Sequence, residues 1–92
     1  MNKLMIFEGN QVEIITNEKG EPLFEVYSTG KALGYMTNSK GKTYPHKVRI
    51  DNTIKNAEIS TVVHGVQQYF TEEQLYDFML EARTDKCKEF RR

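Results

Sequence analysis

Residues 20–35, which read GEPLFEVYSTGKALGY, decide the fold because they place a turn, a short strand and a short helix in direct succession. Pro22 has no backbone N–H and a fixed φ, so it belongs at the entry to a strand rather than inside one. Residues 23–26 then continue as a strand of a small antiparallel sheet. Residues 4–7 and 12–16 predict the other two strands as a hairpin, because both runs are rich in large apolar and β-branched side chains.

A short helix is predicted to follow the third strand. Ser28 or Thr29 can accept the free amide hydrogens of its first turn, and residues 31–33 can continue it. Gly34 suits the left-handed conformation that ends a helix. Gly30 and Gly34 also have the spacing of a helix-turn-helix unit, in which the first glycine lets two helices approach and the second makes the turn. Such a pair is weak evidence by itself.

The middle of the chain predicts a loop and then a second helix. Residues 36–43 are polar and contain a glycine, which is typical of a loop. Pro45 favours the first turn of a helix, where its missing N–H costs nothing. This helix is predicted to end near Ile50, with Val48 facing inward. Residues 51–60 give no clear pattern.

The last part of the chain predicts a second hairpin and a long amphipathic helix. Residues 59–63 and 66–70 are rich in β-forming side chains, and we expect them to pair as a wing. Residues 71–83 predict a helix, because Thr71 with Gln74 three positions later makes a capping box. The apolar residues that recur on one face of this helix are Leu75, Phe78, Met79 and Ala82. A final short helix is predicted to carry Cys87 and Phe90 on its apolar side.

The composition predicts a single domain of the α+β class, with a small antiparallel sheet or hairpins and several short helices. The chain has 92 residues, enough for one modest core. Its 13 basic and 13 acidic residues cancel, but they are segregated along the sequence. Counted from the sequence, residues 26–50 carry a net charge of +5, residues 51–82 of −5, and residues 83–92 of +3. Such segregation can give a neutral protein one positive face.

Several classes of function are disfavoured by what the sequence lacks. No apolar run approaches the ~20 residues of a membrane span, and the N-terminus has no secretory signal pattern. One cysteine excludes an internal disulfide and fits a reducing compartment, so cytoplasm is predicted. The separations of His46, His64 and Cys87 match no common metal-ligand spacing. We find no nucleophile motif or phosphate-binding loop, so no enzyme activity, cofactor or metal is predicted.

The basic stretch is the main candidate site, and it predicts binding to nucleic acid. Lys and Arg neutralise phosphates, while Tyr, His, Asn and Ser can stack on or hydrogen-bond to the backbone. The alternative is a solvated, lysine-rich loop. The candidate residues are Lys31, Asn38, Ser39, Lys40, Lys42, Tyr44, His46, Lys47 and Arg49. A weaker second candidate consists of Arg83, Lys86, Lys88, Arg91 and Arg92.

The two ends of the chain, GEPLFEVYSTGKALGY and QLYDFMLEARTDKCKEFRR, resemble the N-terminal domain of the Bro family, found in phage antirepressors and related viral proteins. The first motif is matched by Glu21, Pro22, Phe24, Ala32, Leu33, Gly34 and Tyr35. The second motif is matched by Leu75, Tyr76, Phe90 and Arg91. The chain departs from the pattern at Leu23, Ser28-Thr29, Gln74 and Cys87.

The resemblance implies a small α+β DNA-binding domain of a phage or prophage antirepressor or transcriptional regulator. It predicts that residues 1–92 form one domain, the N-terminal part of a longer protein in the bacterial host cytoplasm. Double-stranded DNA is the predicted partner, and homodimerisation is compatible with it. The alternative is a domain that binds and sequesters a phage repressor protein without touching DNA.

Overall fold

The computed structural model describes residues 2–7 and 10–82. These residues form three helices and two antiparallel sheets, which confirms the predicted α+β class. The strands are β1 (Asn2–Phe7), β2 (Asn10–Thr16), β3 (Pro22–Glu25), β4 (Met36–Ser39), β5 (Lys42–Pro45), β6 (Val62–His64) and β7 (Gln67–Phe70). The helices are α1 (Val26–Ala32), α2 (Lys47–Asn56) and α3 (Glu72–Glu81).

The larger sheet has five antiparallel strands in the order β1-β2-β3-β7-β6. The predicted hairpin of the first two strands and the strand entry at Pro22 are both confirmed, with Pro22 opposite Thr16. The second predicted hairpin exists as β6 and β7, but the prediction that it forms a separate wing is wrong. Phe70 lies opposite Phe24 in the neighbouring strand β3. Because Phe70 is fully buried, joining the main sheet is how this hairpin covers its apolar side chain.

The main core joins all three helices to the sheet through buried aromatic and aliphatic side chains. Phe78 of α3 is fully buried, with its ring 5.0 Å from the ring of Phe70 and 6.0 Å from that of Tyr35, between ring centroids. Ile50 of α2 and Val26 of α1 complete the same cluster. The predicted apolar face of α3 and its capping box between Thr71 and Gln74 are confirmed. The predicted final helix lies outside the described residues.

Helix α1 begins at Val26, so the prediction that Ser28 or Thr29 caps it is wrong. Its N-cap is Glu25, whose carboxylate accepts hydrogen bonds from the backbone N–H of Tyr27 at 2.8 Å and of Ser28 at 2.7 Å. One carboxylate therefore satisfies two of the free donors of the first turn, and the helix starts directly from the strand. Thr29 is buried inside the helix instead.

Gly30 in α1 and Gly34 just after it have the roles that the sequence predicts. Gly34 has a φ of 110°, and it ends the helix in a Schellman motif: its N–H donates to the Lys31 carbonyl at 3.0 Å, and the Tyr35 N–H donates to the Gly30 carbonyl at 2.9 Å. A Cβ at Gly30 would lie 2.5 Å from Cδ1 of Ile50, so only glycine leaves room for α2. The close helix pair is confirmed, but the two helices are not joined by a tight turn.

A β-hairpin, rather than the predicted loop, separates α1 from α2. Its strands β4 and β5 pair in register, with Ser39 opposite Lys42. Lys40 and Gly41, with φ of 51° and 80°, make a two-residue turn in which both residues have positive φ. Turns of this kind match the twist of antiparallel strands. The residues of both strands next to the turn are exposed. The sequence therefore has no alternation of apolar and polar residues that would have predicted the hairpin.

The second helix starts later and runs further than predicted. Pro45 ends β5, and the Nδ1 atom of His46 caps α2 by accepting from the Arg49 N–H at 3.2 Å. The helix continues through the unassigned segment to Asn56. Val48 is 65% exposed, so its predicted inward orientation is wrong; Ile50 fills that place and is fully buried.

Candidate nucleic-acid interface

The structure places the nine predicted residues on three consecutive elements. Lys31 lies on α1, five of the residues lie on the β4–β5 hairpin, and the last three lie at the start of α2. The hairpin residues are Asn38, Ser39, Lys40, Lys42 and Tyr44. The residues at the start of α2 are His46, Lys47 and Arg49. The second candidate group, which begins at Arg83, lies outside the described residues.

Two cations of α2 are held against aromatic rings that lie before the helix in the chain. The Lys47 ammonium lies 5.2 Å from the centroid of the Tyr27 ring, and the Arg49 guanidinium carbon lies 5.0 Å from that of Tyr35. Such contacts contribute about 0.5–1 kcal/mol each at exposed sites. Lys31 is four residues after Tyr27 on α1, so it shares the face that Lys47 approaches. Three basic side chains therefore gather around α1 and its junction with β4.

The hairpin carries two further lysines beyond this junction. Directly paired residues share a face, so Ser39 and Lys42 lie on one face together with Tyr44, while Asn38 lies on the other. A four-residue strand is about 13 Å long, which places the turn at Lys40 well away from the helices. The side chains of Lys40 and Lys42 have no hydrogen bond or ion pair with any other residue in ranges 2–7 and 10–82. These two cations are thus available to an external anion.

Several of these cations occupy positions where a basic residue lowers stability. Lys47 and Arg49 lie in the first turn of α2, where positive charge opposes the helix dipole by about 0.3–1 kcal/mol per residue. Helix α3 instead has Glu72 and Glu73 in its first turn. Lys40 has a left-handed φ of 51°, which costs a residue other than glycine about 1 kcal/mol. Residues held in a sparsely populated backbone conformation, such as Lys40, are common at functional sites.

Two carboxylates, those of Glu25 and Asp51, lie near these cations, and both accept hydrogen bonds from α1. Asp51 is the only acidic residue of α2, and it accepts a hydrogen bond from the Tyr27 hydroxyl at 2.8 Å. Burial, the hydrogen bond to Asp51 and the nearby negative charges of Asp51 and Glu25 raise the pKa of Tyr27 to about 12. The phenol therefore stays protonated at neutral pH and remains a donor to Asp51.

Negative charge gathers at a separate place. Glu21, Glu72 and Glu73 line one groove together with Asn17, between the β2–β3 turn and the start of α3. A different groove is lined by Lys31, among other residues. The three carboxylates of the first groove are therefore separate from the predicted basic residues, while Glu25 lies in the same groove as Lys31.

The supporting rings of Tyr27 and Tyr35 were visible in the sequence only as aromatics interleaved with basic residues. Lys47 is 20 positions from Tyr27, a separation that belongs to no local motif. The contact could not have been inferred from spacing.

The sequence model of the BRO family, N-terminal domain, matches residues 11–92, which is most of the chain. The chain belongs to the Bro-N family. This confirms the resemblance inferred from the two terminal motifs. No curated protein and no solved structure matches the chain. The Bro-N family is associated with DNA-binding domains of phage antirepressors, and it is a regulatory family rather than a family of enzymes.

Two other features are absent from the described part of this Bro-N domain. Across residues 2–7 and 10–82, no three His, Cys, Asp or Glu side chains gather as ligands of a metal ion would. Within the same ranges, no helix has the length and apolar character needed to cross a bilayer.

Proposed function

We propose that this Bro-N domain binds double-stranded DNA as part of a phage or prophage antirepressor or transcriptional regulator in the bacterial cytoplasm. The binding surface consists of α1, the β4–β5 hairpin and the start of α2. Its basic residues neutralise phosphates, and Ser39, Tyr44 and the free Nε2 of His46 supply short polar contacts to the backbone. No catalytic step is part of this function.

The observation that carries the proposal is that three basic residues occupy positions where the helix dipole or the backbone conformation lowers the stability of the fold. Lys47 and Arg49 oppose the dipole of α2, and Lys40 occupies a left-handed turn position. The contacts of Lys47 and Arg49 with tyrosine rings only offset the cost of opposing the dipole, so these charges add little to the stability of the fold, whereas they attract a polyanion. Phosphate contacts supply most of the affinity of such proteins and release counterions.

Salt dependence tests the proposal directly. Contact with four or five phosphates predicts that log affinity falls with log salt concentration at a slope of about −4. Gel-shift or fluorescence-anisotropy titrations of a labelled duplex at several salt concentrations measure this slope. Absence of binding above background, or affinity that does not depend on salt, would contradict the proposal.

Replacing Asp51 by Asn should tighten binding. The change removes the one negative charge of α2 but keeps an oxygen that accepts from the Tyr27 hydroxyl. We expect an increase in affinity of about two- to eightfold at 0.1 M salt, because at most one further phosphate contact is gained. Duplex titrations of the variant and the wild type measure the difference.

Glu18→Gln is the matched control for this charge change. Glu18 is exposed in the β2–β3 turn, outside the proposed surface. The control alters net charge equally, so it should change affinity much less. Equal effects of the two variants would mean that overall charge, and not this surface, governs binding.

A protein-binding function remains the second candidate, because β1 and β6 are both edge strands of the larger sheet. On β6 and its turn, Val63 and Val66 are exposed. An edge strand with apolar side chains can pair with a strand of a partner, such as a phage repressor. Co-elution with the cognate repressor that an excess of duplex DNA does not disrupt would favour this function over DNA binding.

A further inference from the structure

The outermost line of α2 carries side chains that the basic stretch did not include. Successive helical residues are about 100° apart around the axis. Ile50 and Thr53 are buried and Ile54 packs against the core, so these three define the inner side of the helix. The side opposite to them presents Val48, Asn52 and Lys55, which are all exposed.

The contacts of α2 support this orientation independently. Lys47 and Arg49 lean toward Tyr27 and Tyr35, respectively, so one cation lies on each flank of the helix. The outer side of the helix between these two flanks carries Val48, Asn52 one turn later and Lys55 two turns later. Among the described elements, α2 packs mainly on α1 and α3, and the exposure of Val48, Asn52 and Lys55 shows that this line faces solvent.

The chemistry of the line suits the edges of DNA bases. Val48 is 65% exposed with no structural reason for an apolar residue there. The Asn52 carboxamide has no hydrogen bond within the described ranges 2–7 and 10–82. A valine methyl can contact the thymine methyl, and asparagine can bond to N6 and N7 of adenine in the major groove. About 6 Å separates the two residues along the helix, close to two base-pair steps.

We infer that α2 is the recognition helix of this domain, and that Val48 and Asn52 read an A·T-containing sequence in the major groove of duplex DNA. The inference rests on the proposed function and extends it from phosphate binding to base readout. Lys47, Arg49 and Lys55 flank the two readers with positive charge, which complements the phosphates on both sides of the groove. Asp51 keeps its negative charge, but its carboxylate is held at the Tyr27 hydroxyl and not on the line of Val48 and Asn52.

The probe for the test is a DNA duplex obtained by in vitro selection from a randomised library. The wild-type protein is used to enrich a preferred duplex, and its affinity is compared with that for a scrambled duplex of equal composition. We expect Asn52→Ala to lower the ratio of the two affinities by about 5- to 150-fold, the size of one bidentate base contact. Its affinity for the scrambled duplex and its salt slope stay unchanged. Alanine is a better helix former than asparagine, so the fold is kept.

Lys42→Ala is the contrasting variant, since a lost phosphate contact lowers both affinities equally. Repeating the selection with Val48→Ala should remove a thymine preference at one position of the enriched sequence. Wild-type protein that binds all duplexes equally, or an Asn52→Ala variant that keeps the full ratio, overturns base readout and leaves the proposed function standing. No binding to any duplex, with capture of a repressor instead, overturns both.

Discussion

Replacing Lys42, Lys47 and Arg49 together by Ala is expected to lower affinity for duplex DNA roughly 500-fold at about 0.1 M salt. Each lost phosphate contact removes about 0.9 from the slope of log affinity against log salt, so three contacts remove about 2.7 log units at this concentration. The slope itself falls from about −4 to about −1. Duplex titrations over a range of salt concentrations measure both quantities.

The same triple variant separates binding from folding. Lys47 and Arg49 oppose the dipole of α2, so their removal offsets the loss of the two contacts with tyrosine rings. We therefore expect a midpoint of thermal unfolding close to that of the wild type. Lys19→Ala, in the exposed β2–β3 turn, is the matched control and should alter affinity less than twofold. An unchanged salt slope in the triple variant would place the DNA-binding surface elsewhere.

Gly30→Ala is expected to destabilise the domain by about 1–3 kcal/mol, the usual cost of overpacking a core. Glycine inside a helix normally costs about 1 kcal/mol relative to alanine, so the change would otherwise be stabilising. Here the new Cβ would lie 2.5 Å from Cδ1 and 2.6 Å from Cγ1 of Ile50, whose side chain is fully buried and has no free space to enter. Urea or thermal unfolding followed by circular dichroism measures the loss, at about 4–8 °C per kcal/mol.

A double-mutant cycle shows whether the contact with Ile50 is the cause. Ile50→Val removes the nearest atom, Cδ1, at a cost of about 0.5–1.5 kcal/mol by itself. In that background Gly30→Ala should cost less, with a coupling energy of at least about 0.5 kcal/mol. A stabilising effect of Gly30→Ala alone would show that the two helices are not in tight contact, whereas equal costs in both backgrounds would assign the clash to Cγ1 of Ile50, which valine keeps.

The sequence predicted features that depend on neighbouring residues. Pro22 marked the entry of β3 because the missing N–H and fixed φ act at that residue alone. Thr71 and Gln74 marked the start of α3, since a capping box is complete within four residues. The family was also recognised from local motifs, and the charge segregation was read directly from the chain. Whether residues 1–92 form one domain of a longer protein, and whether the domain dimerises, stay predictions.

Only the tertiary structure decided which way α2 faces and what surrounds its cations. The local pattern favoured Pro45 as the first residue of the helix, and it predicted that Val48 faces inward. In the fold, the contact between Gly30 and Ile50 fixes the rotation of the helix and turns Val48 to solvent. The rings beneath Lys47 and Arg49 come from distant parts of the chain. Several faces of this helix have a similar local propensity to be buried. Packing selects one of them through contacts between residues that are far apart in the sequence.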